Sequence, residues 1–115
     1  MQIRSVLMAV AVLVFGMAGS VLAKDWDKVV TLNAGGDTKE VTINRDISAV
    51  RLVWESGTVS IQTVVVRQGA EKTPYTVAGR LEDKAPKEVR LPAKSQVTGL
   101  RISDGGRGTY AVYVK

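Results

Sequence analysis

The sequence predicts an all-β fold: a small antiparallel two-sheet sandwich of the jelly-roll or Greek-key type, with about eight short strands after a signal peptide. Polar and apolar residues alternate with period two over most of the chain beyond residue 23, as they do in half-buried strands. No window in this part keeps the apolar spacing of a helix face. Turn residues recur about every 8–12 positions, a spacing typical of sandwiches and barrels.

The first 23 residues have the three parts of a secretory signal peptide. Arg4 supplies the positive start, Val6–Phe15 forms an apolar segment, and a small-residue stretch ends in Val21-Leu22-Ala23. A retained membrane anchor is the alternative, because the uncharged run 5–23 approaches the ~20 residues that span a bilayer. Glycines in its second half favour cleavage. We therefore expect a signal peptide over 1–23, one β-sandwich domain over 24–115, and a periplasmic or secreted protein.

The composition excludes several kinds of site. Removal of the first 23 of 115 residues leaves 92, with 15 Lys+Arg against 11 Asp+Glu and a net charge of +4. The chain has no His and no Cys, which rules out the usual zinc sites, a Ser-His-Asp triad, a His-ligated haem and a disulfide framework. We expect no cofactor, no metal, no nucleic-acid partner, membrane contact only during export, and a monomer.

Eight segments carry the strand pattern. They are Trp26–Leu32, Lys39–Ile43, Ile47–Trp54, Val59–Arg67, Pro74–Leu81, Glu88–Leu91, Val97–Ile102 and Tyr110–Val114. In the third segment, the alternation places Val50, Leu52 and Trp54 on the inner face and Arg51 on the opposite face.

The fourth segment is apolar on both faces. Val59, Ile61 and Val65 are predicted to continue the inner face, while Val64 and Val66 lie on the other side. A strand of this kind is covered on both faces or lies at the centre of a sheet.

Glycine-bearing stretches separate most of these segments. Asn33–Asp37 is a predicted loop, and Gly69 is predicted to turn the chain. Glu55-Ser56-Gly57 predicts a hairpin that pairs the third segment with the fourth, and Pro92 is predicted to end the sixth segment. Asp104–Gly108 is interpreted as a plain hairpin loop, because a phosphate-binding loop would need a helix with a Lys after it.

Several strand and turn motifs follow one another in a fixed order. They are Trp26, Ile47-x-x-Val50-Arg51-Leu52, Gly57-x-Val59-x-Ile61, Val64-x-Val66-x-x-Gly69, Leu91-Pro92, Leu100-x-Ile102 and Tyr110-x-Val112-x-Val114. Together they resemble a group of small exported bacterial β-sandwich proteins of unknown function, over about the last two thirds of the chain. The chain departs from that pattern at Pro86-Lys87-Glu88, where a Ser-Arg pair is expected, and at Ala93, where Gly is common. The resemblance implies a sandwich fold and export, and it brings no catalytic residue.

Carboxylates are the remaining candidates for catalysis. A glycosidase needs two acids held ~5–10 Å apart in a cleft, but the acids of this chain stand almost all in predicted turns or at strand ends beside Lys or Arg. Such acids are solvated and lack the burial that tunes a catalytic pKa. We therefore expect a non-catalytic binding or envelope-accessory module. An acid-only hydrolase is one alternative, and a subunit that pairs a sheet edge with a partner protein is another.

Four arginines are predicted to project outward from different strands. They are Arg51, Arg80, Arg90 and Arg101. If several of them share a face, that face can bind an acidic envelope component or an acidic protein. The alternative is an ordinary solvated surface, neutralised by acids such as Glu88 and Asp104.

The two tryptophans are predicted to have different surroundings. Trp54 is in phase with Val50 and Leu52, which indicates a core residue. Trp26 lies between two aspartates near the predicted mature N-terminus. It is interpreted as a residue that caps the open end of the sandwich with its indole N–H in water, or one that stacks on a sugar ring or a partner.

Overall fold

A computed structural model describes residues 26–115, which form one antiparallel sheet of four strands. The strands are β1 (Asp27–Asn33), β2 (Lys39–Gln68), β3 (Glu71–Leu81) and β4 (Lys87–Val114), in the spatial order β1-β4-β2-β3. The all-β class is confirmed, with four strands in place of eight short ones. The predicted signal peptide lies outside the described residues. The described part of the chain contains no helix long and apolar enough to cross a membrane.

β2 and β4 are the two long strands, with 30 and 28 residues. They pair with each other along most of their length, with several bulges. Val50 of β2 is paired with both Val89 and Val114 of β4, and Leu100 of β4 is paired with both Val41 and Val66 of β2. Both strands therefore bend so far that two parts of one strand flank a single segment of the other.

The predicted hairpin at Glu55-Ser56-Gly57 is wrong, because β2 runs through it without reversing. Gly57 has the positive φ of 70° that the sequence suggested, but it is paired with Gly108 of β4. A Cβ atom on Gly57 would clash with the carbonyl oxygen of Arg107. Glycine is needed here for the close approach of two backbones at a bend.

The predicted loop at Asp104–Gly108 is wrong for the same reason. This segment belongs to β4, where Gly106 is paired with Val59 and Gly108 with Gly57. A Cβ atom on Gly106 would clash with the carbonyl oxygen of Thr58. The two stretches that were each predicted to be a turn are therefore paired with each other. They form a single bend, at which β2 and β4 change direction together.

Pro92 does not end a strand as predicted. Arg90 is paired with Ala49 and Ser95 with Ile47, so the residues between Arg90 and Ser95 bulge out of β4 opposite Ser48. A proline is tolerated in such a bulge because its missing N–H is not needed for the ladder. The strand resumes with Ser95 and continues to Val114.

A bulge in the middle of β2 changes which side chains face the core. The register shifts between Ile61 and Thr63, and beyond it Val64 and Val66 are buried while Val65 is only partly buried. The inward positions of Val59 and Ile61 are confirmed. The inward position of Val65 is wrong, because one extra residue in a strand reverses the alternation that follows it.

One contiguous apolar core holds the sheet together. Its fully buried members come from β2, β3 and β4, and the largest are Tyr110, Ile47, Leu52, Ile61, Leu81, Leu100 and Ile102. The predicted turn at Gly69 is confirmed, since Gly69 and Ala70 connect Gln68 to its partner Glu71. Gly69 has a φ of 65°, which suits the first central position of a tight hairpin.

Candidate functional site

Trp26 directly precedes β1 and is more buried than the sequence predicts. Its side chain is 6% exposed, yet it lies outside the contiguous core. The Cζ atom of Arg51 lies 4.3 Å from the centroid of the Trp26 ring, and Nζ of Lys115 lies 5.1 Å from it. Both cations are within the range of a cation–π interaction. Trp26 is therefore held in a packed position in which no ring face is free for a ligand.

Glu88 binds two of the four predicted arginines. Arg51 is paired with Glu88 in the sheet and donates from Nε to its Oε2 atom at 2.8 Å and from Nη2 to the same oxygen. Arg90 places Nη2 at 3.0 Å from the other carboxylate oxygen. The side chain of Arg51 is 21% exposed and that of Arg90 is 67% exposed. Arg51 is thus a fixed structural cation, and Arg90 is a solvated one.

Arg101 belongs to a different group, which we call the Arg101 face: Glu40, Arg67, Lys72 and Arg101. Arg101 is paired with Glu40 on one side and with Val65 on the other. Arg67 lies two positions beyond Val65, on the same face of β2, and it is paired with Lys72 of β3. Four strand segments therefore place three cations and one carboxylate on one surface.

The carboxylate of Glu40 lies between the two arginines of this face. Its Oε2 atom is 3.3 Å from Nη2 of Arg67 and 3.4 Å from Nε of Arg101. Sequence reasoning missed Arg67, which it named only as the last residue of the fourth segment. The register shift between Ile61 and Thr63 moves Val65 and Arg67 to the outer side, and no local pattern in the sequence marks that shift.

Arg80 lies at a third location, which we call the Trp54 cleft. The cleft has a volume of about 260 Å³ and is lined by Trp54, Gly57, Thr58, Arg80, Leu81, Glu82 and Asp83. Trp54 is partly buried, so its predicted place in the core is wrong. Its indole Nε1 donates a hydrogen bond of 2.8 Å to the carbonyl oxygen of Gly57. This bond holds the ring at the bend, where it packs against the core without being enclosed by it.

Asp104 is the centre of a buried polar network that the sequence did not indicate. Its side chain is fully buried and accepts hydrogen bonds from the backbone N–H of Gly35 at 2.8 Å, from Nζ of Lys39 at 3.2 Å and from the Tyr110 hydroxyl. Burial raises the pKa of Tyr110, and the hydrogen bond and the charge of Asp104 raise it further. The network fastens the loop between β1 and β2 to β4, and it keeps the phenol protonated as a donor.

No family model, no curated protein and no solved structure matches this chain. Within residues 26–115, no group of three or more acidic side chains is placed to hold a metal ion. Within residues 26–115, two surface features suit recognition: the charges of the Arg101 face and the aromatic, polar lining of the Trp54 cleft.

Proposed function

We propose that this protein is a non-catalytic exported binding module, periplasmic or secreted, that contacts acidic surfaces through the Arg101 face. The observation that carries the proposal is the sharing of one carboxylate by the cations of this face. Glu40 is the acid partner of both Arg67 and Arg101, and Lys72 adds a third positive charge beside Arg67. The face has an excess of two positive charges, which favours an anionic partner.

The arrangement of the cations supports a binding role over a purely structural one. Arg67 and Lys72 are directly paired on neighbouring strands, and like charges in that position destabilise a sheet. Nε of Arg67 is buried and has no hydrogen-bond partner among the described residues. An anion bound across Arg67 and Lys72 would offset the repulsion between these two like charges.

The two arginines on Glu88 contribute less to this proposal. Arg51 is stacked on Trp26 and bonded to Glu88, so its guanidinium is committed within the fold. Arg90 is solvated and adds long-range attraction without a fixed geometry. Of the four arginines predicted from sequence, Arg101 is the one that we place in the binding surface.

We also propose that the bent sheet forms two packed layers, as in a sandwich. The double pairing of Val50 and of Leu100 supports this, because each residue joins two different parts of the partner strand. Core residues from both ends of β2, such as Val41 and Val66, belong to one cluster. A layered arrangement would leave the Arg101 face on an outer surface, where a large partner can reach it.

Export is part of the same proposal and rests on the sequence of residues 1–23. We expect cleavage between Ala23 and Lys24, as signal peptidases cut after small residues of this pattern. Intact-mass measurement of protein from the native host tests it. A product that begins at Met1 and stays in the membrane fraction would overturn export in favour of a retained anchor.

Binding by the Arg101 face is tested with the mature chain and vesicles that contain either anionic or only zwitterionic lipid. Lys72→Gln/Arg101→Gln removes two positive charges from the face, and Arg45→Gln/Lys94→Gln removes two exposed ones outside it. At about 1 kcal/mol for each basic residue at an anionic surface, the first pair should weaken binding by roughly 30-fold, and the control pair should weaken it far less. An acidic polysaccharide and an acidic protein serve as parallel probes.

Salt provides the second readout. Raising NaCl from about 0.05 to about 0.5 M shortens the screening length and should weaken binding strongly. Salt-insensitive binding, equal losses in both variant pairs, or no binding to any acidic probe would each overturn the proposal.

A further inference from the structure

We propose that the Trp54 cleft binds one pyranose ring of a neutral glycan. The cleft lies where the bend of β2 meets the end of β3: Trp54, Gly57 and Thr58 come from β2, and Arg80 and Leu81 from β3. Glu82 and Asp83 follow from the turn beyond β3. This site is separate from the Arg101 face and does not depend on the function proposed above.

Trp54 supplies a fixed aromatic surface at this site. The bond from its indole N–H to the Gly57 carbonyl satisfies the only polar atom of the side chain. What remains for a ligand is the apolar ring, whose faces carry negative partial charge. The weakly positive C–H groups on one side of a pyranose ring are complementary to such a face.

The polar side chains around Trp54 are unengaged. Arg80, Glu82 and Asp83 are exposed and form no ion pair or side-chain hydrogen bond with any residue in 26–115. The other three predicted arginines are each bonded to a glutamate. Arg80 is therefore the one of the four that has no carboxylate partner among residues 26–115.

The lining combines donors and acceptors, as sugar hydroxyls require. Arg80 offers only donors, Glu82 and Asp83 offer acceptors, and the Thr58 hydroxyl can do both. Because two carboxylates outnumber one guanidinium, the cleft has a net charge of −1, opposite in sign to the Arg101 face. This charge disfavours an acidic ligand and favours a neutral polyol.

Size limits the ligand to a single ring. The volume of about 260 Å³ lies below the ~300–1,000 Å³ of pockets that enclose drug-sized molecules. The neighbouring units of a glycan would extend into solvent. With so few atoms enclosed, we expect a Kd on the order of 1 mM.

The indole N–H signals of Trp26 and Trp54 allow a direct test by NMR. The mature chain is titrated with chitotriose, cellotriose and maltotriose up to about 50 mM, well above the expected Kd. We expect a saturable shift of the Trp54 indole and of the amides of residues 80–83 with at least one probe, while the Trp26 indole stays unchanged. Binding should persist in about 0.5 M NaCl, where screening suppresses contacts of the Arg101 face, so the two proposals can fail separately.

Substitutions at the rim complete the test without touching the core. Arg80→Gln and Asp83→Asn, both at exposed positions, should each weaken binding about tenfold, and Trp54→Phe should retain part of it. Lys84→Gln is the matched control, since Lys84 is adjacent but does not line the cleft. The proposal is overturned if no probe causes a saturable shift, or if Asp83→Asn and Lys84→Gln have the same effect.

Discussion

At the scale of single residues, Trp26 is more buried and Trp54 less buried than the sequence predicts. Trp26 stands between two aspartates, yet it is buried under the cations of Arg51 and Lys115. Trp54 follows the inward alternation of β2, yet it is partly exposed at the cleft. The cause is tertiary in both cases, because neither the stacked cations nor the bend at Gly57 is visible in the local pattern.

Trp26→Ala should therefore destabilise the protein more than Trp54→Ala does. Loss of a buried Trp costs about 3 kcal/mol or more, and here it also removes a cation–π partner of Arg51. Trp54 is only partly buried, so its truncation loses less buried area and should cost less, about 2 kcal/mol. Urea unfolding of both variants, with equal m-values, measures the difference. A larger loss for Trp54→Ala would contradict the burial of Trp26.

Tyr110 provides a prediction about pH. Its raised pKa means that the folded protein keeps the phenol proton above pH 10, where an unfolded chain releases it. The phenol therefore contributes stability that is complete below pH 10 and is lost as the pH rises further. Between about pH 10 and 11.5, the free energy of unfolding should fall more steeply in the wild type than in Tyr110→Phe, by up to ~1.4 kcal/mol per pH unit.

Absorbance gives an independent check on the same residue. While both proteins are folded, wild type and Tyr110→Phe should show the same phenolate absorbance change up to about pH 11.5, because Tyr110 stays protonated. A larger change in the wild type would show that Tyr110 ionises in the folded state, and the predicted pH dependence would then be wrong.

At the scale of elements, the shared bend of β2 and β4 depends on glycine. Gly57 and Gly36 both have positive φ, but a Cβ atom on Gly36 would meet nothing within 4 Å, whereas one on Gly57 would strike the backbone of Arg107 and Gly108. Gly36→Ala should cost about 1–2 kcal/mol for the left-handed conformation alone. Gly57→Ala should add roughly 1–3 kcal/mol of overpacking. Thermal and urea unfolding compare the two, and equal losses would contradict the close approach.

The strand pattern and the turn at Gly69 could be predicted because both depend on neighbours in sequence. The bend could not, because a glycine in a hairpin and a glycine between two closely approaching strands look alike locally. What distinguishes them is the pairing of Gly57 with Gly108, which is long-range. The outward positions of Val65 and Arg67 could not be predicted either. The bulge between Ile61 and Thr63 reverses the alternation that follows it, and no local sequence pattern marks the bulge.

For the candidate sites, too, local sequence predicted one part and long-range pairing decided the rest. Alternation predicted that the four arginines lie away from the core, but their partners depend on strand register. Register places Glu88 beside Arg51 and Glu40 beside Arg101, and those pairings decide which arginine is committed and which is available. The Trp54 cleft was not predicted, because it joins the bend of β2 to the end of β3.

β3 is an edge strand with features that discourage pairing with another chain. Pro74 lacks an N–H group, and Ala78 has a positive φ of 47° beside the register shift. Prolines and bulges of this kind protect exposed edges. The edge on the β3 side is therefore a poor template for strand addition, which weighs against the edge-pairing subunit considered from the sequence.

At the scale of the whole molecule, charge is distributed so that different surfaces suit different ligands. Residues 24–115 have a net charge of +4, but four of their arginines share two glutamates within the fold. For recognition, the local excess of positive charge at the Arg101 face and the local negative charge at the Trp54 cleft matter more than the net charge of the whole chain.

The pairing of β2 with β4 also determines how fast the domain can fold. Lys39 is paired with Ile102 and Leu52 with Lys87, so most ladder contacts join distant parts of the chain. Domains dominated by such contacts fold in about milliseconds to seconds. Stopped-flow refolding of the mature chain, followed by tryptophan fluorescence, should give a main phase in this range. A microsecond phase with full amplitude would contradict it.

During synthesis the chain emerges from its N-terminus, so its strands become available for pairing in sequence order. β1, β2 and the short hairpin to β3 emerge first, but β1 and the first half of β2 have partners only in β4. Until β4 is released, much of the apolar face of β2 stays open to water and to other chains. The topology delays folding until β4 is released, and such a delay suits the export that we propose, because the general route carries unfolded chains. The same delay makes the interval before β4 arrives the period in which it most needs protection from aggregation.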